Sequence, residues 1–392
     1  MNNSMKQFVK TVFYVLITIN GINLLANESQ KVKRLWPDNL FAVDFVNNEF
    51  GVIAGYGGTV LTTHDGGKNW QANYIGKNEL IRKVSFVDED NGWAVGHRGD
   101  IFHTTDGGSH WAIQHHVDNI YLRDVAFIDK NIGWVVGHEA NIWKTEDGGK
   151  HWTKQVLTGF TGRDTPRLHG IYIINKNTAI TVGEFGVIAH TEDGGQHWVV
   201  TPVDNKITYL SVDGNNDSIY VVGLEGTIVG LTVATEDERL AIDESVKIKN
   251  KKKEAKARAK AKRKHRKYIP PEKGLTYRPA IEYVLSKYPG NTSEHLFDIT
   301  VGKDGTALAV GRSVIVKIKN NKISAIKKSD GFSLDFSWLG GVSITPDGTF
   351  WAVGIRGLVV KGNVSQMTFK QVEQLGASTN IKLISSRWDT QK

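Results

Sequence analysis

Residues 80–111 read LIRKVSFVDEDNGWAVGHRGDIFHTTDGGSHW, and the reading of this stretch decides the fold. Around Val84-Ser85-Phe86 apolar and polar side chains alternate, as a strand with one buried face requires. The polar turn Asp88-Glu89-Asp90-Asn91 leads into a second apolar run, Gly92-Trp93-Ala94-Val95-Gly96. A tight turn then gives Asp100-Ile101-Phe102-His103-Thr104, and an Asp-Gly-Gly turn gives a fourth strand beginning at Trp111. Four short strands joined by tight turns make an antiparallel sheet.

The unit recurs along the chain. Asp-Gly-Gly-x-x-Trp stands at Asp65–Trp70, Asp106–Trp111, Asp147–Trp152 and Asp193–Trp198. A small-apolar-Gly turn precedes each, at Gly55, Gly96, Gly137 and Gly183, and returns without the Asp motif at Gly223, Gly311 and Gly354. The spacing stays between 40 and 46 residues except for one interval of 88, which is one period plus an insertion. Twelve residues before the turn glycine stands Val43, Val84, Val125, Ile171, Ile299 or Val342; the fifth unit departs, with Ser211 there and Leu210 before it. Seven four-stranded units at this period predict an all-β, seven-bladed β-propeller. The Asp motif has a mechanical reason: Asp accepts hydrogen bonds from the turn's own amides and the glycines take positive φ. The Trp residues of the boxes, with Trp93, Trp134 and Trp351, are read as packing between sheets.

Composition sets the limits. The chain has 392 residues, 40% apolar and 23% charged, so wholesale disorder is excluded. No cysteine is present, which removes disulfides, thiolate zinc sites and a Cys nucleophile. Lys6 and Lys10 precede the apolar run 12–17, and Leu24-Leu25-Ala26 offers a small-residue cleavage site, the order of a secretory signal. An uncleaved anchor is the alternative. The expected organisation is a signal peptide at 1–26, blades one to five at 35–232, a basic helical insertion at 233–294 between blades five and six, blades six and seven at 295–375, and a tail at 376–392. The mature protein is expected to be exported, periplasmic or in an equivalent lumen, and membrane-associated.

The insertion carries the charge. Residues 247–267 hold thirteen Lys and Arg against Glu254, net +12, in a chain of net +8, so the remainder is −4. Lys251, Lys252, Lys253, Arg258, Arg263, Lys264 and Arg266 are its candidate contacts. The alanines among them favour helix, but no apolar face exists to dock it. After Pro270-Pro271, Ile281, Val284, Leu285 and Tyr288 stand at helical spacing and predict a short amphipathic helix on the propeller. Nucleic acid is not expected as partner, since no base-stacking aromatics are interleaved. An anionic lipid surface or acidic partner suits the charge.

Propeller ligands bind where second-to-third-strand turns and blade connections converge. Those turns hold Tyr56, His97, Arg98, His138, Glu139, Glu184, Phe185, Glu225, Arg312 and Arg356, and Arg82, Arg123 and His169 precede the inner strands. Arg82, His97, Arg98, Arg123, His138, Glu139, Glu184, Arg312 and Arg356 are the candidate partner-binding residues, the arginines because planar donors suit carboxylates. His115-His116 is read as a solvated loop pair. No metal-ligand spacing and no cofactor motif is present.

At the Asp boxes and the Gly-Trp-x-Val-Gly strands the sequence resembles the photosystem II assembly and stability factors of cyanobacteria and chloroplasts, with their bacterial relatives. The resemblance is strong over about residues 40–230 and weak over 295–365. It implies a seven-bladed propeller acting without catalysis as an assembly scaffold for a membrane protein complex on the lumenal or periplasmic side; no cofactor is expected, and the protein is expected to be a monomer. The Asp box is shared with sialidases, so a sialidase-like or other glycoside hydrolase is the alternative, with Glu139, Glu184 or Glu225 as carboxylates. No Phe-Arg-Ile-Pro-like segment supports it, and sialidase propellers have six blades.

Overall fold

A computed structural model describes residues 38–372 except 159, 161, 163, 202–205, 216, 265–278, 289–291, 321, 327 and 330–331. The expected signal at 1–26, the tail at 376–392 and Arg266 lie outside the described residues. Among the described residues seven four-stranded antiparallel blades follow one another, spanning residues 40–74, 81–116, 122–155, 168–200, 209–288, 296–326 and 339–371, and the short strand Leu157–Thr158 adds in parallel to the outer edge of the fourth. Each is built from consecutive strands, inner to outer, and each inner strand packs beside the inner strands of its two neighbours. The last blade meets the first in the same way, so the ring closes without exchange of a strand.

The Gly-Trp pairs explain how neighbouring blades fit. Phe127 of blade three lies against Gly133 of its own second strand, where a Cβ would meet the ring at 2.6 Å. On the other side Trp93 of blade two stacks on Phe127, 3.5 Å between centroids and 6° from parallel. Phe45 repeats this between Gly51 and Trp351, at 5.0 Å and 11°. An aromatic ring slotted between two blades combines large apolar burial with directional stacking.

The channel wall adds polar stitches between blades. The Asp44 carboxylate accepts from Phe86 N (2.8 Å), Ser85 from Phe127 N (3.1 Å), Asp124 from Ile171 N (2.9 Å) and Asp213 from Val301 N (2.7 Å). Asp298 accepts from Val342 N (3.0 Å), and Ser343 closes the ring by accepting from Phe45 N (3.1 Å). Buried carboxylates are tolerated here because each holds backbone donors.

The Asp boxes are self-contained turns. Asp65 accepts from Thr63 Oγ1 (2.9 Å) and Asn69 N (2.9 Å), while Thr63 Oγ1 accepts from Gly67 N (2.9 Å). Asp106, Asp147 and Asp193 repeat this, each also bound to the Nδ1 of His110, His151 or His197 at 2.6–2.7 Å. Trp70 and Trp198 are buried as expected. Trp111 and Trp152 are only partly covered, edge-on to Phe86 and Phe127, because their blades leave the outer strand open to solvent.

Three expectations need correction. In the fifth unit Val212, not Ser211, faces the core, because the hairpin between Gly214 and Ile219 is one residue shorter than its counterparts. His115 and His116 lie on the outer strand Ala112–His116; His115 packs on Trp143 and His116 Nδ1 meets Asp100 at 2.6 Å. Residues Tyr283–Tyr288 form a strand, not an amphipathic helix. That strand pairs with Ile228–Val233 as the outer strand of blade five. Six ladder pairs satisfy the backbone there, which an isolated helical turn could not do.

The insertion is one long helix, α1 (Glu236–Arg263), standing between the third strand of blade five and that blade's outer strand, before blade six begins. Thr235 caps it, its hydroxyl accepting from Glu238 N (3.4 Å) while Glu238 accepts from Thr235 N (2.8 Å). This capping box satisfies orphan donors at the first turn. Three acidic residues in the first turn and three basic ones in the last complement the helix dipole. Among the described residues no strand of the propeller packs along the helix. It is stabilised from within, by caps and composition, rather than by a buried face.

Candidate functional site

The turn between second and third strands has an unusual backbone. In blades four, five and seven its middle residue is left-handed, and that residue is Phe185 (φ 61°), Glu225 (φ 57°) or Arg356 (φ 51°). Blade one uses Gly57 at the same place. Left-handed backbone costs a residue with a Cβ about 1–2 kcal/mol, so glycine would serve the fold better. Large side chains held at this position are exposed on one face of the ring.

On blades two to four this face forms a cavity of about 640 Å³. Its lining includes His97, Arg98, Tyr121, His138, Glu139 and Arg167. Tyr121 stacks on His97 (4.7 Å, 12°) and leans on His138 (4.9 Å). Arg123 Nε donates to His138 Nε2 at 3.1 Å, which requires that nitrogen to be unprotonated. Arg167 pairs with Glu184 Oε1 at 3.3 Å, and Glu184 also accepts from Arg167 N at 3.1 Å. The structure therefore brings together His97, Arg98, Arg123, His138, Glu139 and Glu184 of the expected set. Arg312 and Arg356 are exposed on blades six and seven, outside this cavity.

Charge in the cavity is set by the arginines. Burial, and then the guanidiniums of Arg123 and Arg82, push His97 down to about 4. Burial with Arg123 and Arg167 does the same to His138, also to about 4. His169, nearer the channel, falls to about 3 for the same reasons. Burial, then Arg82 and Arg167, lower Arg123 to about 10, still charged at neutral pH. The site sets guanidiniums among neutral imidazoles, with Asp118, Glu139 and Glu184 as its own carboxylates and Glu79 beside Arg98 at 3.9 Å. Arg123, which donates to His138, is the guanidinium left to attract an anion. Arg82 lies over the ring of Phe41 (5.6 Å), which stacks on Trp338 (5.3 Å). The mouth of the channel is thus cationic on one arc and aromatic on another.

Deeper in the channel the signs reverse. Lys83 binds Asp298 at 3.0 and 3.2 Å, and Ser211 Oγ donates to the same carboxylate at 2.8 Å. Burial raises Asp44 and Asp124 to about 6 and Asp213 to about 7. Burial opposes the charge on Lys83, but Asp298 and Asp124 outweigh it and raise its pKa. Among the described residues no cluster of three or more His, Asp or Glu could hold a metal ion.

Sequence reasoning missed Arg167 and Tyr121. Both stand immediately before an inner strand, sixteen residues ahead of Gly137 and Gly183 as Leu80 is ahead of Gly96, and that shared position was the available signal. The basic residues Lys251, Lys252, Lys253, Arg258, Arg263 and Lys264 fall on α1 or its cap, remote from the cavity in the chain.

Comparison with known proteins agrees with this architecture. The sequence model of the family "Photosynthesis system II assembly factor YCF48" matches residues 23–118 and 112–225. No curated protein sequence matches the chain. Among solved structures, one described as YCF48 bound to D1 peptide superposes with a TM-score of 0.57 at 14% identity, covering 84% of this chain and 93% of that one. YCF48 from Cyanidioschyzon merolae gives 0.59 at 17% identity, covering 86% and 98%. The WD40 repeats of RRP9 give 0.56 at 8% identity, covering 82% and 89%, so the structural likeness on its own speaks for the fold.

Proposed function

The chain belongs to the photosynthesis system II assembly factor YCF48 family, and from that premise we propose that it is a non-enzymatic scaffold that captures a protein segment during assembly of a membrane complex. The observation that carries this reading is the cationic cavity of blades two to four, where Arg98, Arg123 and Arg167 surround imidazoles kept neutral. The ligand is an extended segment bearing carboxylates, bound by planar guanidinium donors. The similar structure that holds a D1 peptide supports a peptide as the ligand class.

The protein works after export, on the periplasmic side or in an equivalent lumen, as a monomer. The basic helix α1 adds a second contact, with anionic lipid headgroups, because its charge is concentrated and its surface has no apolar stripe. Among the described residues no helix is long and apolar enough to cross a membrane. Titration with a synthetic acidic peptide tests the capture reading. The Arg98→Ala/Arg167→Ala double variant should bind about 10–100-fold more weakly with its melting unchanged, whereas Arg312→Ala/Arg356→Ala should lose less. Equal binding by the first variant would move the site off this cavity.

A further inference from the structure

The chain direction fixes where the basic helix leaves the ring. In every blade the third strand runs away from the His97–Arg98 turn face and ends at the face that carries the Asp boxes. In blade five that strand, Ile228–Val233, passes into Thr235 and α1 in place of an Asp-Gly-Gly turn. The returning segment is tied down on the same face. Glu192, within the blade-four box, accepts from Ile281 N (2.8 Å), and Ile281 O meets His190 Nε2 at 2.8 Å. The helix root and the cavity are therefore on opposite faces.

The charge on α1 is segregated along its length. Residues 236–246 carry five acidic side chains and Arg239, net −4; residues 247–263 carry ten Lys and Arg against Glu254, net +9. The basic half begins about 16 Å from the root and ends about 42 Å from it, at 1.5 Å per residue. Both distances exceed the Debye length of about 8 Å, so the mildly acidic propeller does not cancel this charge. Lys252, Lys253, Lys256, Lys260 and Arg263 recur at spacings of one, three and four and share one arc of the helix. No aromatic residue occurs between 236 and 263 to stack on bases. No apolar stripe is present to anchor a folded partner either. Diffuse positive charge, carried on this arc and also on the opposite side by Lys247, Lys251, Arg258 and Lys262, with neither feature present, suits a lipid surface.

We infer that the protein docks on an anionic bilayer through the basic half of α1 with the Asp-box face toward the lipid, so that the His97–Arg98–Arg167 cavity faces away from the membrane. This rests on the reading of α1 as a lipid contact. It adds a direction: the captured segment is received from the aqueous side, not from the bilayer. Blades one to four present closed, hydrogen-bonded boxes to the lipid, a face with little need of its own ligand.

Because the chain has no cysteine, single reporters can be placed cleanly. Ser109→Cys puts a fluorophore on an Asp-box turn and Tyr56→Cys puts one on the opposite face; both side chains are exposed. With vesicles of phosphatidylglycerol and phosphatidylcholine containing a lipid-borne quencher, the Ser109 reporter should be quenched at least twice as strongly as the Tyr56 reporter. Vesicle sedimentation, read separately, should fall at least tenfold for the variant with those five basic residues changed to Gln, and fall with salt for the parent. Stronger quenching at Tyr56, or equal quenching, overturns the orientation while leaving the lipid reading intact. Undiminished sedimentation of the Gln variant overturns the lipid reading itself. Tighter binding to duplex DNA than to vesicles at the same salt overturns both. The Arg98→Ala/Arg167→Ala variant should sediment as the parent does, which separates this test from the peptide-capture test.

Discussion

The two faces of the ring are made from the same repeat and have been used in opposite ways. On the Asp-box face the turns are near copies: Thr, Asp and the following Asn or His satisfy each other within each turn. On the opposite face one backbone turn is kept while its side chains diverge, even to Phe185 and Arg356 in left-handed conformation. Uniformity marks a part that builds the blade. Divergence at a conformational cost marks a part selected for what it touches.

The sharpest test of this contrast removes a buried box residue. Trp198→Ala should lower stability by about 3–5 kcal/mol, the range for large buried aromatics. Trp111→Ala, whose ring is partly exposed, should cost clearly less. Thermal melting of the two would break the contrast between buried and half-covered boxes if their losses were equal. Substitutions in the cavity should act the other way, changing peptide affinity as described for Arg98 and Arg167 while staying within about ±0.5 kcal/mol in stability.

Acid should separate the channel mouth from its interior. His97 and His138 sit near 4 in the folded protein against about 6.5 unfolded. As pH falls from 6.5 to 4 the unfolded chain takes up protons that the folded chain refuses, so these residues destabilise the fold in that window. Asp44, Asp124 and Asp213 are raised instead, so lowering pH from about 7 to 4 protonates them first in the folded state and stabilises it. His138→Asn should therefore improve melting at pH 5 and leave it unchanged at pH 8. Asp213→Asn should improve it at pH 8, where the carboxylate is charged, more than at pH 5. The reverse pattern would contradict both assignments.

The smallest expected effect sharpens the argument about turns. Phe185→Gly or Glu225→Gly relieves left-handed strain but adds freedom to the unfolded chain, so stability should rise by no more than about 1 kcal/mol. A loss on either substitution would mean that the side chain helps hold the turn.

Much of this was legible in the residues. The turn glycines and Asp boxes carry period and register because each answers a backbone need that recurs in every blade. Blade five was harder to read. Its outer strand follows its third strand only after α1 and the segment beyond it, and Val284, Leu285 and Tyr288 match a helical spacing as well as a strand. What decides is pairing with Ile228–Val233, a long-range contact that local pattern does not encode. The cavity was half legible: His97, Arg98 and His138 stand in the turns, whereas Tyr121 and Arg167 hold a position before the inner strand that is Leu80 in blade two. Residue type there gives no common signal, and the connections before it differ in length. Position in those connections depends on how neighbouring blades abut.

The seam where blade seven meets blade one has a consequence for the history and mechanics of the chain. The four antiparallel strands of each blade come from one segment, and the seam is held by Ser343 to Phe45 N and by Trp351 on Phe45, contacts of the same kind as at other blade junctions. Nothing in such a ring requires it to start at blade one. A gene rearranged to begin at blade two and end at blade one, with a linker joining residues 372 and 38, should still produce the ring. Pulled from its two ends, the native chain should part first at the seam and then shed blades in succession from the termini, whereas the rearranged chain should part at the junction of blades one and two.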